Sequence, residues 1–442
     1  MRQQRPMLRG LLLAATALTI AACSPETAPE TETAAVETEV SSPAADPAWP
    51  SAAISDPTTL GFSAEGLAAL DARMAQSVAD QDVAGMVTLL AKNGEVAQFN
   101  AYGQATDSTP MTKDTVFRIY SMSKPITGVA MMQLHEQGLW ELDDPVTKHV
   151  PEFANLKMMT GVDADGNATV GNPSRAPTMR EIMSHTAGFA YGLSGEDPVN
   201  TAFRDQAVLG SADLDELMTK VSNIPLLHEP GSLWYYSISV DIQGAIVERL
   251  SGQKLGAYMD EHIFTPLGMD DTAFTLPEAD RSRLATVYQM NGDGEFEVLP
   301  DVYNFFVNDH AESGGGGLAS TAHDYTRFVQ MLINEGELDG AQILKPETAR
   351  FMMSNQIGDT PGVFTGGGFG YGGAVATREP SERSPAPIGS YSWFGIDGTW
   401  FWVDPVNDLG YVGMIQRRGN AGRDAVNLRG ESVQLVYEAL ND

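Results

Sequence analysis

Apolar residues recur every three or four positions after Ser63, at Leu67, Leu70, Met74 and Val78. That spacing puts all four on one face of a helix, and Ser63 is placed to cap it. Two β-like runs follow, Val83 to Leu90 and Glu95 to Tyr102. Asn93-Gly94 between them suits a two-residue hairpin turn, in which both central positions need positive φ. A further helical stretch begins near Ser121 and stops at Gly138. From about Pro151 to His310, helical segments mix with Gly- and Pro-rich loops. Near the end, Thr399 to Val403 and Leu409 to Gln416 predict a second hairpin around Pro405 to Asp408, and a terminal helix is expected over Glu431 to Leu440. Strands at both ends and helices in the middle predict an α/β (α+β) fold. In it an antiparallel sheet, flanked by helices and completed by both chain ends, carries an inserted, mostly helical domain. The sheet part is expected over about 60–150 and 311–442 and the insertion over about 151–310. No repeat recurs at a fixed period.

The first residues have another pattern. Arg2, Arg5 and Arg9 precede an apolar run, Leu11 to Ala22, interrupted only by Thr16 and Thr19. Such a run is about 18 Å long as a helix, too short to cross a bilayer and suited to a signal peptide over residues 1–23. Ile20-Ala21-Ala22-Cys23 resembles a bacterial lipobox, in which cleavage before the Cys leaves it acylated. Residues 24–50 are acidic, rich in Pro, Ala and Thr, and without a basic residue, which predicts a solvated tether between a membrane and a folded body over 51–442. Ser24 is not the Asp that retains lipoproteins in the inner membrane, so the expected location is the outer membrane, facing the periplasm.

Composition narrows the function classes. The chain has 27 Lys+Arg against 58 Asp+Glu, a formal net charge of −31, which argues against nucleic-acid binding. Cys23 is the single cysteine, so a disulfide framework or a thiolate-rich metal site within one chain is excluded. The histidines are scattered without metal-ligand spacing, and no metal or cofactor is expected. There is no G-x-S-x-G elbow, no H-E-x-x-H and no P-loop. Gly368 to Gly373 matches G-x-G-x-x-G, but no periodic helix follows it, so a dinucleotide turn is a weak reading.

What remains is S-x-x-K, which occurs at Ser121–Lys124 and again at Ser251–Lys254. Positions i and i+3 share one helix face, so the lysine amine can reach the serine hydroxyl and accept or relay its proton. The pattern alone is short. Ser251 beside Gly252 reads as a helix stop, and Ser121 on pattern alone is equally a helix cap or a nucleophile.

The surrounding blocks decide between these. Ser121 to Thr127 (SMSKPIT), Thr178 to Phe189 (TMREIMSHTAGF), Ile263 to Thr272 (IFTPLGMDDT) and Gly314 to Thr321 (GGGGLAST) resemble, in order, segments of the serine β-lactamase and penicillin-recognising family in its class C-like branch. The resemblance covers nearly everything from Phe62 onward and implies Ser121 as nucleophile with Lys124 beside it. It also implies Tyr236, in the segment Pro230 to Gly244, as the base that takes the Ser121 proton and later activates water. Two departures stand out. Tyr236-Ser237-Ile238 replaces the family's Y-x-N, and Trp393-Phe394-Gly395 replaces K-T-G, removing the cation that pairs with a β-lactam carboxylate. The W-x-G replacement, with the pattern around Asp241 from Tyr236 to Gly244, resembles esterases built on the same fold. By that likeness the backbone N–H groups of Ser121 and Ile396 form the oxyanion hole, and Trp393 and Gly395 line the substrate pocket. The implied activity is ester hydrolysis on a small acyl substrate. The alternatives are a β-lactamase, a D-amino-acid peptidase or a non-hydrolytic penicillin-binding-like sensor. His185 is expected to serve as a structural hydrogen-bonding residue and Asp241 as support for the helix after Tyr236.

Overall fold

In the computed structural model, which describes residues 55–441 apart from 293, 300–309, 364–366, 382–383 and 420–426, eight strands form one antiparallel sheet. Cys23, the signal segment and the tether lie outside the described residues. The N-terminal part supplies β1 (Gly85–Lys92), β2 (Glu95–Thr106) and β3 (Thr109–Pro110). The C-terminal part supplies β4 (Gly367–Phe369), β5 (Ala374–Ala376), β6 (Tyr391–Phe394), β7 (Trp400–Asp404) and β8 (Leu409–Met414). Their order is β4-β5-β6-β7-β8-β1-β2-β3, so the two ends of the chain meet where β8 pairs with β1, from Val87 opposite Met414 to Lys92 opposite Leu409. The β1–β2 turn has Asn93 at φ 52° and Gly94 at φ 75°, the positive angles that its sequence predicts. Asp404 holds the β7–β8 turn by accepting from the N–H groups of Val406 at 2.8 Å and Asn407 at 3.2 Å.

Five helices matter most to the site: α1 (Ala64–Ala79), α2 (Ser123–Glu136), α3 (Ser239–Ser251), α4 (Ala322–Ile333) and α5 (Leu428–Ala439). Ser63 caps α1 as predicted, its Oγ accepting from the Gly66 N–H at 3.0 Å. Asn427 caps α5, which therefore starts one turn before the Glu431 that periodicity suggested. The central strands are buried on both faces. On β7, Trp400 and Trp402 join Leu67, Leu70, Met74 and Val436 in one core under α1 and α5. Phe401 and Val403 point the other way and join Tyr325, Phe328 and Leu332 of α4 in the larger core. Strands buried on both faces read as continuous apolar runs, as β7 and β8 do.

The insertion between α2 and the short strand Ala319–Ser320 is mostly helical. It also contains two small hairpins, Met158–Val162 with Ala168–Gly171 and Tyr288–Met290 with Phe296–Val298, which the periodicity did not single out. They are too short to give an alternating signal.

Cross-strand packing at the sheet centre leaves no spare volume. Trp400 faces Gly413 across the β7–β8 ladder, and a Cβ at Gly413 would stand 2.2 Å from the indole. Gly413→Ala is therefore expected to destabilise the fold by about 1–3 kcal/mol, measured as a lowered denaturation midpoint against wild type.

Candidate active site

The chain enters α2 through a 3₁₀ turn, Tyr120–Met122. Tyr120 has φ 42°, in the left-handed region, where a bulky side chain stores about 1–3 kcal/mol of strain. Ser121 follows, half-buried, and Lys124 lies one turn on with no exposure at all. The Lys124 Nζ is 3.3 Å from the Ser121 Oγ, donates to the Gly315 carbonyl at 2.6 Å and to the Tyr191 hydroxyl at 3.2 Å. The Tyr236 hydroxyl lies 2.8 Å from the same Ser121 Oγ, and the ammonium stands 4.6 Å from the centroid of its ring. The structure thus brings Ser121, Lys124 and Tyr236 together.

Neighbouring segments hold Tyr236 in place. The Tyr235 N–H donates to the His185 carbonyl at 3.0 Å and the Ile238 N–H to the Ala190 carbonyl at 3.0 Å, so the strand-like run before α3 is laced to the His185–Ala190 loop. Rings enclose the phenol: His185 at 5.0 Å, Tyr191 at 5.5 Å and Trp393 at 5.5 Å between centroids. Trp393 sits on β6 and is 3 % exposed, packed between Tyr236 and Phe369. It forms a wall behind the tyrosine more than an open pocket edge.

A glycine run allows the loop 314–317 to slide between α2 and α3. A Cβ at Gly314 would meet the Val240 carbonyl at 2.8 Å, and one at Gly315 the Asp241 Oδ2 at 2.5 Å and the Tyr191 hydroxyl at 2.7 Å. Asp241, fully buried in the first turn of α3, accepts from the Ser313 hydroxyl and from the Gly315 N–H at 3.2 Å. It orients the loop whose carbonyl takes the lysine. Burial pushes its carboxyl pKa up, opposed by the Lys124 charge and by the bonds from Ser313 and Gly315.

His185, at φ 60°, makes no bond to Ser121. Its Nδ1 accepts from the Ser237 backbone N–H at 3.1 Å and lies 3.0 Å from the Ser237 hydroxyl. With Nδ1 accepting, the ring proton sits on Nε2. Burial, and then the Lys124 charge, hold its pKa well below 6.5. A buried neutral imidazole turned towards Ser237 is a structural residue.

The strand beyond Trp393 ends in a tight turn. The Gly395 N–H donates to the Thr399 carbonyl at 2.7 Å, and Thr399 Oγ1 donates to the Ile119 carbonyl at 3.3 Å. A Cβ at Gly395 would lie 2.6 Å from that carbonyl, so glycine lets the turn press against the residues that lead to Ser121. Ile396, 48 % exposed, is carried next in this turn.

The other S-x-x-K is a helix end. Ser251 is the last residue of α3, its Oγ donating to the Val247 carbonyl at 2.7 Å and accepting from the Gln253 N–H at 3.1 Å, while Gly252 stops the helix at φ 74°. Lys254 turns away to pair with Glu248 at 3.2 Å. The G-x-G-x-x-G match is the β4–β5 hairpin and opens no helix. Sequence reasoning missed Tyr191, a direct partner of Lys124. Its one signal was its place two residues beyond the Thr178–Phe189 block.

An antiparallel sheet with a helical insertion thus carries an S-x-x-K serine met by a tyrosine hydroxyl at their border. The chain belongs to the Beta-lactamase family, whose model matches residues 70–434. It is 32 % identical over 413 residues to esterase EstB of Burkholderia gladioli, covering 86 % of this chain and all of EstB. It is similar in structure to EstCE1, described as a hydrolase with promiscuous acyltransferase activity, with a TM-score of 0.69, 27 % identity and coverage of 85 % and 99 % of the two chains. The simvastatin synthase LovD of Aspergillus terreus shares the fold, with a TM-score of 0.75 at 22 % identity over 85 % of this chain and 98 % of that one. A mixed α/β fold with this sheet and these helices is what the family has.

The buried imidazole has a consequence for stability. Below the ordinary histidine value of 6.5, the unfolded chain takes up a proton that native His185 refuses. Its contribution is intact above that value and is lost as pH falls towards the depressed native pKa, by up to about 1.4 kcal/mol per pH unit. Asn tolerates positive φ and offers an acceptor in place of Nδ1, so His185→Asn is expected to flatten this slope. Urea midpoints of both proteins between pH 7.5 and 5.5 check it, and parallel curves refute it.

Proposed function

We propose that this protein is a serine hydrolase that cleaves carboxylic esters through an acyl-enzyme on Ser121. The observation that carries the reading is the Ser121 Oγ held 3.3 Å from the Lys124 Nζ and 2.8 Å from the Tyr236 hydroxyl. Acting as a phenolate beside the Lys124 ammonium, Tyr236 takes the hydroxyl proton as Ser121 attacks the ester carbonyl, then gives that proton to the departing alkoxide. In the second half, Tyr236 takes a proton from the water that attacks the acyl group and passes it to the Ser121 Oγ as the acyl–oxygen bond breaks and the acid leaves. The Lys124 ammonium is the positive charge beside whichever oxygen becomes anionic. The N–H groups of Ser121 and Ile396 receive the carbonyl oxygen of the tetrahedral intermediate, each such donor contributing about 3–4 kcal/mol. The kinship with EstB and EstCE1 supports ester chemistry.

Esters are favoured over β-lactams by what β6 lacks. Trp393, walled in by Tyr236 and Phe369, stands where a lysine would meet a β-lactam carboxylate. Losing that charged bond costs about 1.5–3 kcal/mol, or about one to two decades in rate. We further propose that the chain is exported and anchored by acylated Cys23, with the acidic residues 24–50 as its spacer, at the outer membrane. Acyl chains give membrane affinity at about 0.8 kcal/mol per buried CH₂. Cys23→Ala is expected to release the protein from the membrane fraction at unchanged yield, and retention would overturn the anchor.

The central experiment measures kcat/KM of the full-length protein on nitrophenyl esters of rising chain length, a chromogenic cephalosporin and a D-Ala-D-Ala peptide. Short-chain esters should lead by at least about tenfold. Cephalosporin turnover equal to or faster than acetate or butyrate turnover would replace the ester reading with the β-lactamase one. Ser121→Ala, Lys124→Ala and Tyr236→Phe should each remove most activity, with double variants adding little, because the three act as a unit. Ser251→Ala should leave the rate unchanged.

A further inference from the structure

The two backbone donors assigned to the oxyanion hole come from segments far apart in sequence, Tyr120-Ser121 and Ile396-Asp397. One short stretch after β8 touches both. The Gln416 side-chain amide accepts from the Arg118 N–H at 3.2 Å and donates to the Arg118 carbonyl at 3.0 Å, on the nucleophile side. The Arg417 N–H donates to the Asp397 carbonyl at 2.7 Å, on the turn side. Arg418 then joins the two with its side chain. Its Nε donates to Asp397 Oδ1, and its Nη2 donates to Asp397 Oδ2 at 3.2 Å and to the Tyr120 hydroxyl at 3.3 Å. The guanidinium also lies 5.4 Å from the centroid of the Tyr120 ring.

We propose that Arg418 is a positioning residue of the oxyanion hole, fixing the Ile396 turn and the Ser121 turn at one spacing. The proposal rests on the acyl-enzyme reading and adds to it the device that aligns the hole. Two physical needs meet at this side chain. Tyr120 is held at φ 42°, a conformation its own backbone does not favour, and its hydroxyl is tied down by Arg418. Asp397 follows Ile396 directly and has no exposure to solvent. Its bare negative charge would oppose an oxyanion forming beside it, and the guanidinium cancels that charge with two parallel bonds. Burial raises the Asp397 carboxyl pKa, while the bonds and charges of Arg418, then Arg118 and Tyr120, act against this. Arg418 makes no bond to Ser121, Lys124 or Tyr236, whose partners are one another, the Gly315 carbonyl and the Tyr191 hydroxyl. Its effect must therefore pass through the two turns.

The test compares wild type, Arg418→Gln, Arg418→Lys and Tyr120→Phe as full-length proteins on nitrophenyl acetate, with inhibition by phenylboronic acid measured in parallel. A tetrahedral boronate on Ser121 places an oxygen where the oxyanion forms, so its Ki reads the hole independently of turnover. Arg418→Gln is expected to lower kcat about 10- to 100-fold, with KM within about 3-fold, and to raise the boronate Ki by a similar factor. Arg418→Lys should recover part of both, since it keeps the charge but not the paired geometry. Tyr120→Phe removes the hydroxyl that meets Arg418 but leaves the Arg418–Asp397 pair, and should show a smaller shift in the same direction. Thermal melts establish that each variant is folded, and if Arg418→Gln does not fold, the Lys and Phe variants decide. Folded variants with unchanged kcat and Ki, or with losses confined to KM, overturn the role given to Arg418. Wild type that neither turns over the ester nor binds the boronate overturns the acyl-enzyme reading itself, and the role of Arg418 falls with it.

Discussion

A lysine ammonium with no access to water must find its partners inside the protein, and Lys124 finds them on several separate segments. Removing such an ion from water costs several kcal/mol unless its hydrogen bonds are replaced. Here the Gly315 carbonyl, the Tyr191 hydroxyl and the Ser121 Oγ replace them. The partners belong to the loop before α4, the insertion and the turn into α2. Satisfying this one charge therefore requires the sheet part and the insertion to meet in a fixed way, and the meeting is what brings the Tyr236 hydroxyl to the serine.

The supporting residues follow from that demand. Gly314 and Gly315 exist as glycines because side chains there would collide with Val240, Thr127, Asp241 and Tyr191. Asp241 fixes the loop that solvates this cation, accepting from the Ser313 hydroxyl and the Gly315 N–H. His185, neutral and turned to Ser237, and Trp393, packed edge-on to Phe369, stiffen the wall behind Tyr236 without adding charge. Lys124 and the loop that solvates it are held by neighbours that need no substrate to fix them, while Asp241 Oδ2 and His185 Nε2 are buried without a hydrogen-bond partner among the described residues.

Features that depend on nearby residues were legible in the sequence. The Ser63 cap, the Asn93-Gly94 turn and the Ser121–Lys124 spacing each express chemistry within one or two turns of chain. Tyr236 is separated from Ser121 by 115 positions, and only the likeness to a known family marked it out among the tyrosines. Tyr191 and the Gly315 carbonyl stayed hidden for the same reason, since a tyrosine that solvates a lysine has the same sequence signature as one that merely packs. The Asp397–Arg418 pair was equally silent, its partners brought together by the final strand. The small hairpins of the insertion were lost to brevity.

The pairing of Val87 with Met414 also sets the order in which the molecule can be made. When β1 and β2 have left the ribosome, α1 can cover one of their faces, but β8, which completes the middle of the sheet, and α4, which packs on the other face of β1, have not been synthesised. Contacts between the two ends of a chain close slowly, because a long loop must lose its freedom before they form. The nascent chain therefore stays open until its last strands arrive, a state that exposes it to aggregation. Loss of even the last few dozen residues would remove β8 from the centre of the sheet. The serine and lysine would remain in the chain with no scaffold to hold them.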